Sequence, residues 1–182
     1  MIYNIRAILD TEEDVFRDIA IRDTDTLEDL HQSLINAFGF DGMEMASFYT
    51  CDDRWNQEDE IPLFDTGDEP GQVQTMNDYS LLELLHEDHT KIIYVYDFLN
   101  MWTFLVELAS ITEEQVGVVY PELMHAHGVL PESAPNAQFE SDGTENNPYA
   151  DFEDDYDEDD FDQEDEFGGE HYEDLGFEDN WN

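Results

Sequence analysis

The stretch D-T-L-E-D-L-H-Q-S-L-I-N-A-F-G, residues 25–39, decides the fold. Leu27, Leu30, Leu34 and Phe38 recur at helical spacing, which gives a helix with one apolar face. Asp25 or Thr26 can cap its first turn, and Glu28 and Asp29 sit well against the positive end. Gly39 fits the left-handed position that stops a helix. His31 falls off the apolar stripe in this reading.

Strand-like segments lie on both sides. Upstream, Ile2–Leu9 and Val15–Ile21 are rich in β-formers, and the polar run Asp10–Asp14 turns between them. They read as an antiparallel hairpin. Downstream, Met45–Cys51 reads as a third strand, followed by a long irregular connection over 52–75. Leu81–His86 is a short helix and Lys91–Phe98 a strong strand. Leu99–Trp102 is a turn into a further strand, Thr103–Leu108, and residues 116–124 supply a short strand or a docked segment. The order β-β-α-β-α-β-β predicts an α+β domain with a mostly antiparallel sheet and two helices, over residues 1–130. A hairpin followed by a crossing helix is also how a β-grasp arrangement begins. On the 91–98 strand, Tyr94, Tyr96 and Phe98 share one face, with Ile93 and Val95 on the other. One face is core. The other is covered by the helices or the 52–75 segment, unless the aromatic face is left open for a peptide.

Charge divides the chain. Its 182 residues carry a formal net charge of −44. All five cations (Arg6, Arg17, Arg22, Arg54, Lys91) lie before Ile92. Residues 140–182 hold 20 acids, no cation and a single Leu, Leu175. Such a segment repels itself and has little to bury, so a disordered tail is expected, joined by a linker at 131–139 with Pro131 and Pro135. Within it Phe152, Tyr156, Phe161, Phe167, Tyr172, Phe177 and Trp181 punctuate runs of carboxylates. Charge repulsion keeps such aromatic anchors exposed to a basic, partly apolar surface, such as that of a DNA-binding protein. A solvated face that only keeps the chain soluble is the plainer reading.

The same charge excludes several function classes. Five scattered cations cannot make the basic face that direct nucleic-acid binding or an anionic membrane requires. No apolar run approaches the span of a bilayer, and the first twenty residues show no secretory signal. The lone Cys51 fits a reducing cytoplasm. His86-x-x-His89 and His125-x-His127 lack the further ligands zinc needs, and the EF-hand spacing is absent. There is no G-x-S-x-G elbow and no Gly-rich phosphate loop, so no catalytic residue, cofactor or metal is expected.

Several blocks recur together in one order: the Arg17-containing second strand, Thr26-Leu27…Leu30-His31, the Ala37-Phe38-Gly39-Phe40 helix end, and Tyr94-x-Tyr96-Asp97-Phe98…Trp102. Over about residues 2–110 this pattern resembles the plasmid ORF-three-like domain family of root-inducing plasmid type. Its members are often described as insertion-element passenger proteins with a resolvase-like name. The resemblance implies a small α+β fold and no established reaction. His31 recurs in the family; it is either a partly buried histidine that fixes the helix against the sheet or, with Tyr96, Asp97 and Trp102, part of a pocket.

Two functional expectations follow. The first is a non-enzymatic cytoplasmic interaction protein whose acidic–aromatic tail engages a basic protein or mimics nucleic-acid charge. The alternative is a mobile-element-associated enzyme or nucleic-acid-processing accessory with a pocket near His31 and Asp97.

Overall fold

A computed structural model of the chain describes residues 1–67 and 71–135. The tail and its aromatic residues lie outside the described residues. Seven strands form one sheet: β1 (Ile2–Leu9), β2 (Phe16–Arg22), β3 (Ala46–Cys51), β4 (Gln57–Pro62), β5 (Lys91–Tyr96), β6 (Trp102–Thr112) and β7 (Glu122–His127). Their order is β4-β3-β5-β6-β1-β2-β7, and every pairing is antiparallel. Two helices, α1 (Leu27–Phe38) and α2 (Leu81–Leu84), and a 3-10 turn at Met76–Asp78 complete the fold. It is the expected mostly antiparallel α+β domain.

Local chemistry sets the helix ends. Thr26, rather than Asp25, caps α1. Its hydroxyl accepts the Asp29 N–H at 3.2 Å, while the Asp29 carboxylate accepts the Thr26 N–H at 2.8 Å. Gly39 ends the helix at φ +81° and donates its N–H to the Ile35 carbonyl. The start of α2 is capped the same way, with Ser80 and Glu83 as the reciprocal pair. The two helix starts are laced together by Leu27 N–H to Tyr79 O and Leu81 N–H to Asp25 O.

The helices cover one face of the sheet, and the core lies between. Tyr3, Ile5, Ala7 and Leu9 of β1 meet Ile19 and Ile21 of β2, Phe48 of β3, Tyr94 and Tyr96 of β5, and Phe104 and Val106 of β6. Leu27, Leu30, Leu34, Ile35 and Phe38 close over them from α1, with Leu81 and Leu85 beside them. The Tyr3 hydroxyl donates to the Leu85 carbonyl at 2.9 Å, tying the sheet to the end of α2. Arg17 belongs to this face. Its guanidinium lies over the Phe38 ring at 4.8 Å and donates to the carbonyls of Ala37, Phe16 and His127. A longer contact reaches Gly128. Burial lowers its pKa, and the carbonyl partners satisfy the charge without a carboxylate.

The structure corrects or refines several of these readings. The 52–75 connection contains a strand, β4, whose Gln57, Glu58, Asp59 and Glu60 are exposed and which exists by pairing with β3. The 91–98 strand ends at Tyr96, because Asp97 takes φ +58° and turns the chain, so Phe98 leaves the Tyr94–Tyr96 face. That aromatic face is the covered core and is not open to a peptide. His31 belongs to the buried face of α1, only 5% exposed. The 116–124 segment ends in β7, which runs on to His127 and pairs with β2.

Candidate functional site

Among the described residues the other face of the sheet carries no helix. Around Ile93 and Val95 of β5 it forms an apolar patch with Cys51, flanked by Tyr49, Trp55, Met101 and Leu105. All of these but Cys51 line a groove of about 630 Å³, whose polar margin is Asp10, Asn56, Gln57 and Thr103. Its volume is in the range of ligand-sized pockets.

Two turns of similar design build the ends of the groove. In the first, the Asp52 carboxylate accepts the backbone N–H of Arg54 at 2.8 Å and of Asn56 at 2.9 Å, and the Asn56 side-chain amide at 2.7 Å. In the second, the Asp97 carboxylate accepts the N–H of Leu99 and Asn100 and the Asn100 side-chain amide. The hydrogen bond from the neighbouring Asn side chain is the largest cause holding each Asp below its ordinary pKa. Each turn ends with a bulky residue in the left-handed region, Trp55 at φ +67° and Met101 at φ +57°. That conformation is costly for such residues and directs both side chains over the groove. Lys91 fixes Trp55 from outside, with its ammonium 5.0 Å from the ring centroid and donating to the Asp53 carbonyl at 2.8 Å.

The groove has no nucleophile poised for reaction. Burial first, and then the nearby Asp52 carboxylate, push the Cys51 thiol up to about 11, which leaves it protonated at neutral pH. Tyr49 donates to Glu60 at 3.2 Å, and burial together with that carboxylate raises its pKa. Ser47 donates to the same carboxylate at 2.7 Å. Among the described residues no three His, Cys, Asp or Glu side chains gather as a metal-binding group, and no helix is long and apolar enough to cross a membrane.

The residues singled out as a pocket sit in three settings. His31 Nδ1 shares a 2.8 Å hydrogen bond with the Tyr94 hydroxyl inside the core, and burial lowers the imidazole pKa to about 4. Tyr96 and Trp102 are cross-strand partners beside the segment after α1. Phe40 packs on both rings, and the Tyr96 hydroxyl donates to Asp41 at 2.9 Å. Asp97 organises its own turn. The structure thus brings Tyr96, Asp97 and Trp102 near one another in the chain path, while His31 pairs with Tyr94. The groove on the uncovered face was missed. The Asp52…Asn56 and Asp97…Asn100 pairs were its available sequence signal, since Asp and Asn side chains habitually close such turns.

The domain is an all-antiparallel α+β sheet with one helix-covered face and one grooved face. The family model described as plasmid pRiA4b ORF-3-like protein matches residues 2–165, and the chain belongs to this family. Among solved structures, a protein of unknown function from Methanosarcina mazei Go1 shares the fold. Its TM-score is 0.62 at 21% identity, with 72% of each chain covered. A search of curated proteins gave no match.

Proposed function

We infer that this chain is a non-enzymatic interaction protein that engages a basic protein partner through its acidic–aromatic segment, residues 140–182. The observation that carries the reading is the coincidence of 20 acids, no cation and regularly interposed Phe, Tyr and Trp in that segment. Charge attraction steers a cationic partner over a long range, and aromatic side chains then hold it by desolvated contact. A tail that only solubilises gains nothing from exposed aromatics.

The folded domain supports the reading by its own charge. Four of its five cations have internal partners. Arg6 pairs with Asp18, Arg22 with Glu114, Arg17 with carbonyls, and Lys91 with Asp53 O and Trp55. What the domain shows a partner is therefore chiefly negative. The alternative of an enzyme or accessory with a pocket near His31 and Asp97 has less behind it, because His31 Nδ1 is bound to Tyr94 and the Asp97 carboxylate to its own turn.

The test compares the full chain, a form ending at residue 139, and a form with Phe152→Ser, Tyr156→Ser, Phe161→Ser and Phe167→Ser. The partner captured by the full chain is expected to be lost with the truncation. It should dissociate faster from the aromatic variant, which keeps every negative charge. Equal binding by all three forms would overturn the reading.

A further inference from the structure

We propose that the groove on the uncovered sheet face is a docking site for a basic peptide segment carrying a bulky apolar side chain. The proposal rests on the reading of a basic partner and adds a second point of engagement on the folded domain. Three features of the groove carry it.

The first is shape. Ile93, Val95 and Leu105 make an apolar floor, and Tyr49, Trp55 and Met101 make the walls. An extended segment can lay a leucine-sized side chain on that floor.

The second is preorganisation. Trp55 and Met101 occupy left-handed backbone conformations in turns headed by Asp52 and Asp97, and Lys91 pins the Trp55 ring. Holding two bulky residues in strained conformations over Ile93 and Val95 contributes nothing to the main core, which lies on the other face. Strain of this kind gathers at ligand clamps. Walls fixed in advance also lower the ordering cost of binding.

The third is charge, which selects the occupant. Asp10 stands at the groove margin, and its carboxylate has no hydrogen-bond or ion-pair partner among the described residues. Glu60 lies on the same face, bound to Tyr49 and Ser47. A second copy of the chain would bring another −44 to the same place, and like charges at close range oppose that contact. A neutral apolar ligand would fill the floor and leave Asp10 unpaired. A Lys or Arg beside the apolar side chain satisfies both.

The test titrates the isotope-labelled full chain with the peptide Lys-Arg-Leu-Leu-Arg-Lys and follows backbone amide resonances. The expected result is saturable shifts at Tyr49, Trp55, Ile93, Val95 and Leu105. Leu105→Ser should weaken the peptide at least tenfold. Asp10→Asn, a change at an exposed and unengaged side chain, should weaken it about threefold and leave the melting temperature in place.

Two control peptides separate the contributions. Lys-Arg-Ser-Ser-Arg-Lys keeps the charge and should leave the groove resonances unmoved. Ser-Gln-Leu-Leu-Gln-Ser keeps the apolar pair and should bind at least tenfold more weakly. Equal groove shifts from the serine peptide, equal affinity for the neutral peptide, or no groove shifts at saturation would each overturn the proposal. So would concentration-dependent dimers that move the same resonances, since they would make a second copy the occupant. Resonances of residues 140–182 are read in the same spectra. Shifts confined to them would sink the groove and leave the acidic segment's role standing, and shifts confined to the groove would do the reverse.

Discussion

The two faces of the sheet use the same strands for opposite ends. On the covered face, Tyr3, Phe48, Tyr94 and Phe104 are each at most 2% exposed, and a capped helix presses Leu30 and Leu34 into them. On the other face the apolar residues fall into two small patches, Ile2–Ala20–Tyr120 and Cys51–Ile93–Val95. Between the patches stand charged pairs such as Arg6 and Asp18. Alternation along a strand makes this division automatic, since neighbours point to opposite sides. What differs is the covering material. One face is closed by a regular helix that the core holds in place, the other only by turns that each expose a bulky residue. Most of the buried apolar side chains, and with them most of the stability, belong to the first face.

Truncating the covered face should have the largest effect. Leu30→Ala and Leu34→Ala, both fully buried, are each expected to cost about 2–5 kcal/mol in denaturant unfolding. Leu105→Ala on the grooved face should cost clearly less, because that side chain is only partly buried. Similar losses at all three positions would break the division of labour between the faces.

The next largest effect is expected at Arg17. Replacing it with Met keeps the stem over Phe38 but removes charge-assisted bonds to the carbonyls of Ala37, Phe16 and His127. A loss of about 1.5–3 kcal/mol is expected. Arg17→Lys should recover little of it, since an ammonium cannot reproduce the planar fork. Hydrogen exchange should show β7 opening first, because Arg17 ties β7 to α1.

His31 sharpens the comparison through pH. Its pKa in the fold is about 4, below the ordinary value of 6.5, so the unfolded chain takes up the proton first. The contribution is therefore complete above about pH 6.5 and is lost as pH falls towards 4, by at most about 3 kcal/mol. His31→Gln should be destabilised at pH 7 because it disturbs the Tyr94 contact, and its deficit should narrow through that window. A deficit independent of pH would show that the fold does not lower the imidazole pKa.

Smaller effects come from the helix cap and from salt. Thr26→Ala should cost about 1 kcal/mol by removing the reciprocal bonds with Asp29. The melting temperature should rise from low to moderate sodium chloride, because screening relieves the repulsion among unpaired carboxylates.

These contrasts also mark what the sequence could disclose. The α1 helix was legible because period, cap residue and stop glycine all pointed to one element. The opening hairpin and the β5–β6 pair were legible for the same kind of reason. The β4 strand was not, since Gln57-Glu58-Asp59-Glu60 has no apolar alternation and owes its conformation to partners in β3. His31 was legible as a residue that fixes the helix against the sheet, but its partner was not, since periodicity counts apolar residues and that partner is a hydroxyl 63 positions further along the chain. The groove was hidden because it depends on the left-handed backbone of Trp55 and Met101, which hydrophobic patterning does not encode.

The β4 strand has a consequence for assembly. Among the described residues it is the last strand at its end of the sheet, so one row of its backbone donors and acceptors has no partner strand there. Exposed sheet edges template growth into fibrils unless something deters the next strand. Here Glu58, Asp59 and Glu60 stand exposed in succession along that edge. A copy of β4 arriving to extend the sheet would bring the same three carboxylates into register and be repelled. The acids that obscured this strand in the sequence are thus what allows it to end the sheet without recruiting another copy.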